Sequence, residues 1–149
     1  MSDQSLVATV TTFRVRWAEC DPAGIIYHAR AFDWFSEGRL AWLEARHLSY
    51  YDVLRARGVD LLVMGCDASF LHMLRPGDRL SLTTRVGALT PTRLHFMYAV
   101  EAGGRAVIEG ATRHVFVAGG HAINLKKRHP DIYEALLASL GGGGVREGD

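Results

Sequence analysis

Cysteine is scarce. Cys20 and Cys66 are the only two in 149 residues, too few for a disulfide framework and suited to a reducing cytosol. No run approaches 18 consecutive apolar residues, so no membrane-spanning helix is expected. The opening Met1-Ser2-Asp3-Gln4 lacks the basic and apolar regions of a signal peptide. No charge of one sign dominates. A formal net charge of +1 argues against nucleic acid or a membrane surface as partner, since either demands a strong basic excess. His47, His72, His95, His114, His121 and His129 show no HExxH or CxxC spacing, so no metal is expected. No Gly-rich phosphate loop follows a strand, Gly103-Gly104 being turn chemistry, and no cofactor is expected. These absences point to a soluble cytoplasmic protein.

What is present suits one domain. The composition is 48% hydrophobic and 22% charged, as in ordinary globular proteins. A chain this long buries roughly 68–70% of its extended surface on folding, enough for a core without staples. We place that domain at residues 1–140. The tail 141–149, Gly-Gly-Gly-Gly-Val-Arg-Glu-Gly-Asp, is flexible by composition.

Alternation from Val10 to Trp17 predicts a half-buried strand, with Val10, Phe13, Val15 and Trp17 mostly on one face. A long helix is predicted from Ala29 to Arg46. Its residues Ala31, Trp34, Phe35, Gly38, Ala41, Trp42 and Ala45 form one apolar stripe, which Phe32, Leu40 and Leu43 widen. So apolar a helix must be largely enclosed. A short helical segment, Tyr50 to Arg57, stops at Gly58. Strands are predicted at Val59–His72, Arg79–Val86, Arg93–Glu101 and Ala106–Val117, separated by turns at Arg75-Pro76-Gly77-Asp78 and Gly103-Gly104. Short connections imply antiparallel neighbours. Pro130 opens a last helix, Asp131 to Leu140, with Ile132, Tyr133, Leu136 and Leu137 on one side. The expected fold class is α+β: a five-stranded antiparallel sheet wrapped around a long central helix.

Between the first strand and that helix lies Ala18-Glu19-Cys20-Asp21-Pro22-Ala23-Gly24-Ile25-Ile26-Tyr27-His28. A carboxylate on a Pro/Gly turn, an imidazole and free backbone N–H groups at a helix start are what a hydrolase needs to attack a carbonyl. Asp21 also reads as a simple turn opener. Cys20 as nucleophile is disfavoured, because adjacent residues on an extended segment point to opposite sides.

Phe13-Arg14-Val15-Arg16-Trp17, the Cys20–His28 turn, Phe32-Asp33-Trp34-Phe35-Ser36-Glu37-Gly38-Arg39, Asp67-Ala68-Ser69-Phe70 and Leu74-Arg75-Pro76-Gly77-Asp78 together resemble the hotdog-fold acyl-CoA thioesterases. The likeness is to the 4-hydroxybenzoyl-CoA thioesterase group and spans about Thr12 to Leu140. The resemblance implies that Asp21 is the essential catalytic carboxylate, as nucleophile or as general base. It implies that the backbone N–H of His28 or its neighbour polarises the thioester carbonyl. Ile26-Tyr27-His28 fits related members that also use the histidine side chain. The resemblance further implies sites between subunits, in dimers that pair into homotetramers, with an acyl-CoA substrate.

One position departs from the group. An acidic residue that would contact a ring hydroxyl is replaced by Ser36, so an aromatic or short acyl group without a required para-hydroxyl is expected. Tyr27, Ser36 and Glu37 are candidate substrate contacts, Glu37 on the same general side of the helix as Ser36. Arg93 and Lys126-Lys127-Arg128 are candidates for the coenzyme A phosphates, although such clusters are commonly just solvated surface. Two rivals are a hotdog dehydratase or hydratase and a non-catalytic acyl-CoA binding protein. The first would carry a different helix pattern; the second would have no need of Asp21.

Overall fold

The computed structural model describes residues 8–140; the Gly-rich tail from Gly141 and the opening Met1-Ser2-Asp3-Gln4 lie outside them. Strand β1 (Ala8–Arg14) leads through a tight turn at Trp17–Glu19 to helix α1 (Arg30–Glu44). Two helical turns, Tyr50–Leu54 and Arg55–Arg57, precede β2 (Asp60–Phe70), β3 (Arg79–Leu89), β4 (Arg93–Ala102) and β5 (Arg105–Ala118). A two-residue strand β6 (His121–Ala122), a helical turn α2 (Leu125–Arg128) and helix α3 (Pro130–Ala138) follow. All pairings are antiparallel, in the order β1-β3-β4-β5-β2, with β6 beside β5.

The α+β architecture and the central helix match the sequence reading, with four corrections. The sheet has six strands rather than five. Gly119 and Gly120, at φ 58° and 78°, turn the chain so that His121 and Ala122 pair with Ala118 and Val117. The first strand ends at Arg14, because Arg16 N donates to the Glu19 carboxylate at 2.8 Å and closes a tight turn instead. Val10 lies opposite Phe13 rather than beside it; three residues apart, they cannot share a face of a period-2 strand. Finally, β2 pairs with β5, not with its successor β3, so the connection after Phe70 is a crossover to a non-adjacent strand instead of a hairpin.

Helix α1 holds its position through packing. Ala31, Trp34, Phe35, Gly38, Trp42 and Leu43 are buried against the concave face, where Leu82, Leu94, Phe96, Tyr98 and Val100 meet them. Phe35 stacks on Tyr98 with ring centroids 4.2 Å apart. Gly38 sets the distance: a Cβ there would stand 2.4 Å from Thr84 Oγ1 and 2.9 Å from Leu82 Cδ2. Contacts below about 3 Å are unavailable to real side chains, so this close approach requires glycine.

The helix packs chiefly over β1, β3 and β4. Edge strand β2 is left bare, with Leu62 51% and Met64 65% exposed, and Val63 and Phe70 exposed as well. Among the described residues no helix is long and apolar enough to cross a membrane.

Candidate active site

The Asp-Pro-Ala-Gly turn is a closed local structure. Asp21 N donates to Ile25 O at 2.9 Å, Gly24 N donates to Asp21 O at 3.0 Å, and Asp21 Oδ1 accepts from Ala23 N at 2.8 Å. That last bond is an Asx turn, the reason aspartate suits this place geometrically as well as chemically. Gly24 at φ 77° supplies the left-handed residue the reversal needs. Two bonds tie the turn to its surroundings: Ile26 N to Leu74 O at 2.9 Å, and Tyr27 N to Glu19 O at 2.8 Å.

This anchoring leaves reactive groups free. Asp21 keeps Oδ2 without a partner and pairs with no cation among the described residues. With the Tyr27 N–H engaged by Glu19, the next two backbone N–H groups, those of His28 and Ala29, have no acceptor among the described residues. They stand at the start of α1, whose first residues have no side-chain cap, so the helix presents donors and the positive end of its dipole there. Asp21 and His28 line one cleft of about 280 Å³, with Phe70, His72, Met73 and Ile108 on its other walls. A larger hollow, about 680 Å³ between Arg14, Arg79, Glu101 and the Gly103-Gly104 turn, lies apart from these residues.

Sequence reasoning missed Glu19. It is 4% exposed, and its carboxylate accepts from Arg16 N at 2.8 Å and Trp34 Nε1 at 2.6 Å. Burial pushes its pKa up, but those two hydrogen bonds and the Arg16 guanidinium outweigh burial and hold it below the usual glutamate value. Glu19 thus fastens the Asp21 turn to the helix: its carboxylate grips Trp34 and its carbonyl grips Tyr27. The signal in the sequence was a carboxylate two residues before Asp21 and fifteen before a tryptophan, a long-range pair no local pattern reveals.

Glu19→Ala should destabilise the fold by about 2–4 kcal/mol, since hydrogen bonds to a charged group contribute roughly 1.5–3 each. Because the folded pKa is depressed, the contribution is complete above the ordinary carboxylate range and disappears as pH falls through the folded value. Urea melts should therefore show the gap between wild type and variant closing in acid. A constant gap down to the folded value would contradict this role.

The other candidate residues are distributed differently from expectation. Tyr27 is exposed and its ring lies 4.6 Å from the His28 ring. Ser36 lines a separate cavity with Arg39. Glu37 does not share that side: it lines a groove with Arg14, Arg16 and Trp34, because successive helical residues diverge by about 100°. Arg93 begins β4 opposite Val115, and α2 with Lys126, Lys127 and Arg128 packs next to it through Leu125 N to Pro91 O at 2.7 Å. Ile108, in the Asp21 cleft, lies seven residues from Val115 along β5. That is about 24 Å, so one chain does not bring the basic cluster to Asp21. Burial, then the carboxylates of Asp21, Glu19 and Asp78, push the Cys20 thiol pKa up, which disfavours its thiolate. Among the described residues no cluster of His, Cys, Asp or Glu is arranged to hold a metal ion.

A polar chain crosses the core beside α1. Tyr98 Oη and Thr112 Oγ1 are 2.6 Å apart, and Thr112 Oγ1 lies 2.9 Å from His114 Nε2. Burial, then the positive charges of Arg39 and His95, depress the His114 pKa to about 3. The unfolded chain binds a proton at this histidine below about 6.5, whereas the folded chain does not until about 3. Stability should therefore fall as pH drops through that window, by up to about 1.4 kcal/mol per unit from this group. His114→Gln should flatten the pH 4–6 limb of a stability profile; an unchanged limb would place the titration elsewhere.

A sheet curled around its helix, with a free carboxylate and the helix start lining one cleft, has the form of a hotdog-fold thioester hydrolase. The chain belongs to the Thioesterase-like superfamily, whose sequence model matches residues 15–140. It is 33% identical to a hypothetical protein, TT1821, from Thermus thermophilus, over 87% of this chain and 98% of that one, with a TM-score of 0.81. It is similar in fold to the DHNA-CoA thioesterase from Staphylococcus aureus, with a TM-score of 0.83, 23% identity, and coverage of 88% of this chain and 89% of that one. The Bacillus subtilis protein YneP, whose name carries a provisional acyl-CoA thioesterase assignment, is 27% identical over 124 residues, 81% of this chain and 89% of its own.

Proposed function

We propose that this protein hydrolyses an aromatic or short-chain acyl-CoA to the free acid and coenzyme A. One observation carries the reading: the unpaired Oδ2 of Asp21 shares a cleft wall with the start of α1, where the His28 and Ala29 N–H groups lack acceptors. The thioesterase names borne by YneP and by the Staphylococcus aureus protein agree with it.

The chemistry divides between the two features. A thiol titrates near about 8.5, so the leaving thiolate needs little acid assistance. The demands are a nucleophile and a place for charge on the carbonyl oxygen. The His28 and Ala29 N–H groups, reinforced by the helix dipole, serve as oxyanion donors. Asp21 acts by one of two balanced routes. As general base it takes a proton from water while the hydroxide adds to the carbonyl carbon; the C–S bond then breaks and the proton ends on the thiolate. As nucleophile its oxygen displaces the thiolate to form a mixed anhydride, which water then hydrolyses. The exposed His28 imidazole is placed to orient the water or the carbonyl.

The catalytic assembly is a homo-oligomer, a dimer formed along β2 and paired into a tetramer. The bare apolar edge of β2 supports this, because an unpaired edge strand is ordinarily paired or covered. Joined through β2, each cleft would receive walls from a second copy, and the partner's Arg93 and Lys126–Arg128 would lie toward the coenzyme A end.

Thiol release measured across a panel of acyl-CoA esters, with crotonyl-type substrates followed for hydration, tests the reading. Thiol release on aromatic or short acyl groups is expected. Hydration without thiol release would favour a hydratase, and binding without either would favour a carrier.

A further inference from the structure

Arg39 is a cation without a carboxylate. Arg16, Arg30, Arg55, Arg57 and Arg113 each pair with an acid; among the described residues Arg39 pairs with none. It is half-buried, and both its side-chain hydrogen bonds go to neutral oxygens. Nη2 donates to Ser36 Oγ at 2.9 Å and Nη1 to Tyr98 Oη at 3.3 Å. Behind Tyr98 the network continues through Thr112 to a neutral His114, so no counter-charge comes from the core. In front, Ser36 and Arg39 open on a cavity of about 200 Å³ walled by Leu40, Leu43, Tyr51 and Leu61. A guanidinium that has lost part of its hydration without gaining a counter-ion favours an anion, and its planar fork suits a carboxylate.

The cavity's position indicates where that anion comes from. Ser36 and Arg39 follow His28 by eight and eleven residues, a rise of about 12–16 Å along α1. That exceeds the span of a short acyl group held at Asp21 of the same chain. Leu61, in the Arg39 cavity, lies at the start of β2, whereas Phe70, in the Asp21 cleft, lies at its end. Antiparallel pairing of two β2 edges sets the start of one against the end of the other. In such a pairing the Arg39 cavity of one copy would lie toward the Asp21 cleft of the other.

We infer that Arg39, presented with Ser36, binds a carboxylate at the far end of an acyl group whose thioester lies at Asp21 of a second copy, so that the substrates are coenzyme A monothioesters of short aliphatic or aromatic dicarboxylic acids. This rests on the thioesterase reading above and narrows it. Ser36, neutral where a carboxylate would seek a hydroxyl, serves here to hold the guanidinium in place.

The test compares CoA monothioesters of dicarboxylic acids with monocarboxylic esters of matched length, aliphatic and aryl. Wild type should prefer the carboxylated member by about tenfold or more in kcat/KM at some length, the yield of a charge-assisted hydrogen bond. Arg39→Gln should lower that ratio by about tenfold or more, and Arg39→Lys should keep part of it. Ser36→Asp, which supplies an internal counter-ion, should also erase the preference and serves if Arg39→Gln fails to fold. No preference at any length, or a ratio unchanged in folded Arg39→Gln, overturns the inference.

Titration calorimetry with non-hydrolysable thioether analogues, with and without the carboxylate, reads the same discrimination without turnover. It separates failure here from failure of the hydrolase reading. Co-expressing Asp21→Asn and Arg39→Gln chains should restore about a quarter of wild-type activity on the carboxylated substrate, because half the dimers are mixed and each has one intact site. Activity no higher than that of the two parents would show that Arg39 and Asp21 do not act across subunits.

Discussion

Asp21→Asn is expected to lower kcat by about 10²–10⁴, the usual cost of losing a general base, and by more if Asp21 is the nucleophile. The fold should survive, because the structural task of this residue is one that asparagine performs equally well. Asp21 Oδ1 accepts from Ala23 N at 2.8 Å to close the turn, and an amide oxygen can do the same. What asparagine lacks is the charge on the carboxylate, whose second oxygen has no partner among the described residues. The loss should therefore appear in kcat, with KM nearly unchanged where binding is fast relative to chemistry, and with circular dichroism and the thermal midpoint close to wild type. His28→Ala should be milder, since the donor assigned to that residue is its backbone N–H. Folded Asp21→Asn retaining more than about a tenth of wild-type kcat lies outside the range for a lost general base. The catalytic group would then be sought at His28 or His72, the other titratable side chains lining the cleft.

How far these features were legible depended on whether their cause is local. The Asp21–Gly24 reversal was readable because aspartate, proline and a left-handed glycine each act within four residues. The burial of Leu94, Phe96, Tyr98 and Val100 was readable because a period of two survives any partner choice. The apolar stripe of α1 located the helix whose start leaves the His28 and Ala29 N–H groups without acceptors among the described residues, though its wide face hid which side the sheet would cover. What failed was non-local. Val15-Arg16-Trp17 continues a strand pattern, but the Glu19 carboxylate captures the Arg16 N–H and ends it. The sheet order depends on β2 passing its sequence neighbour to reach β5, which strand propensities do not encode. Ser36 and Glu37 are adjacent in sequence and serve different cavities. Ser36 acquires its meaning only from Arg39, one turn later, and from Tyr98, on another element.

Leu62→Lys/Met64→Lys should convert the protein to monomers at micromolar concentration and remove most thioesterase activity. Both side chains are more than half exposed in a single chain, so two charges there should cost the isolated fold little. In an antiparallel pairing of two β2 edges about the strand's midpoint near Gly65, twofold symmetry makes each substitution count twice. Withdrawing four such apolar side chains from an interface forfeits roughly 1.5–3 kcal/mol each. Placing four like charges near one axis adds repulsion. Even half of the apolar loss would raise the dissociation constant by more than about a hundredfold.

Activity should fall in step with the oligomer fraction, because each cleft would lose the Arg39 cavity and the basic cluster of its neighbour while its own Asp21, His28 and Ala29 remain in place. Sedimentation velocity and thiol release on the same samples test the two halves of this expectation. A monomer with full kcat/KM would show that one chain holds a complete site and that the bare β2 edge has another purpose. An oligomer that withstands both lysines would move the interface off β2 altogether. Loss of activity with the oligomer intact would also count against the scheme, since nothing at Leu62 or Met64 touches the Asp21 cleft within one chain.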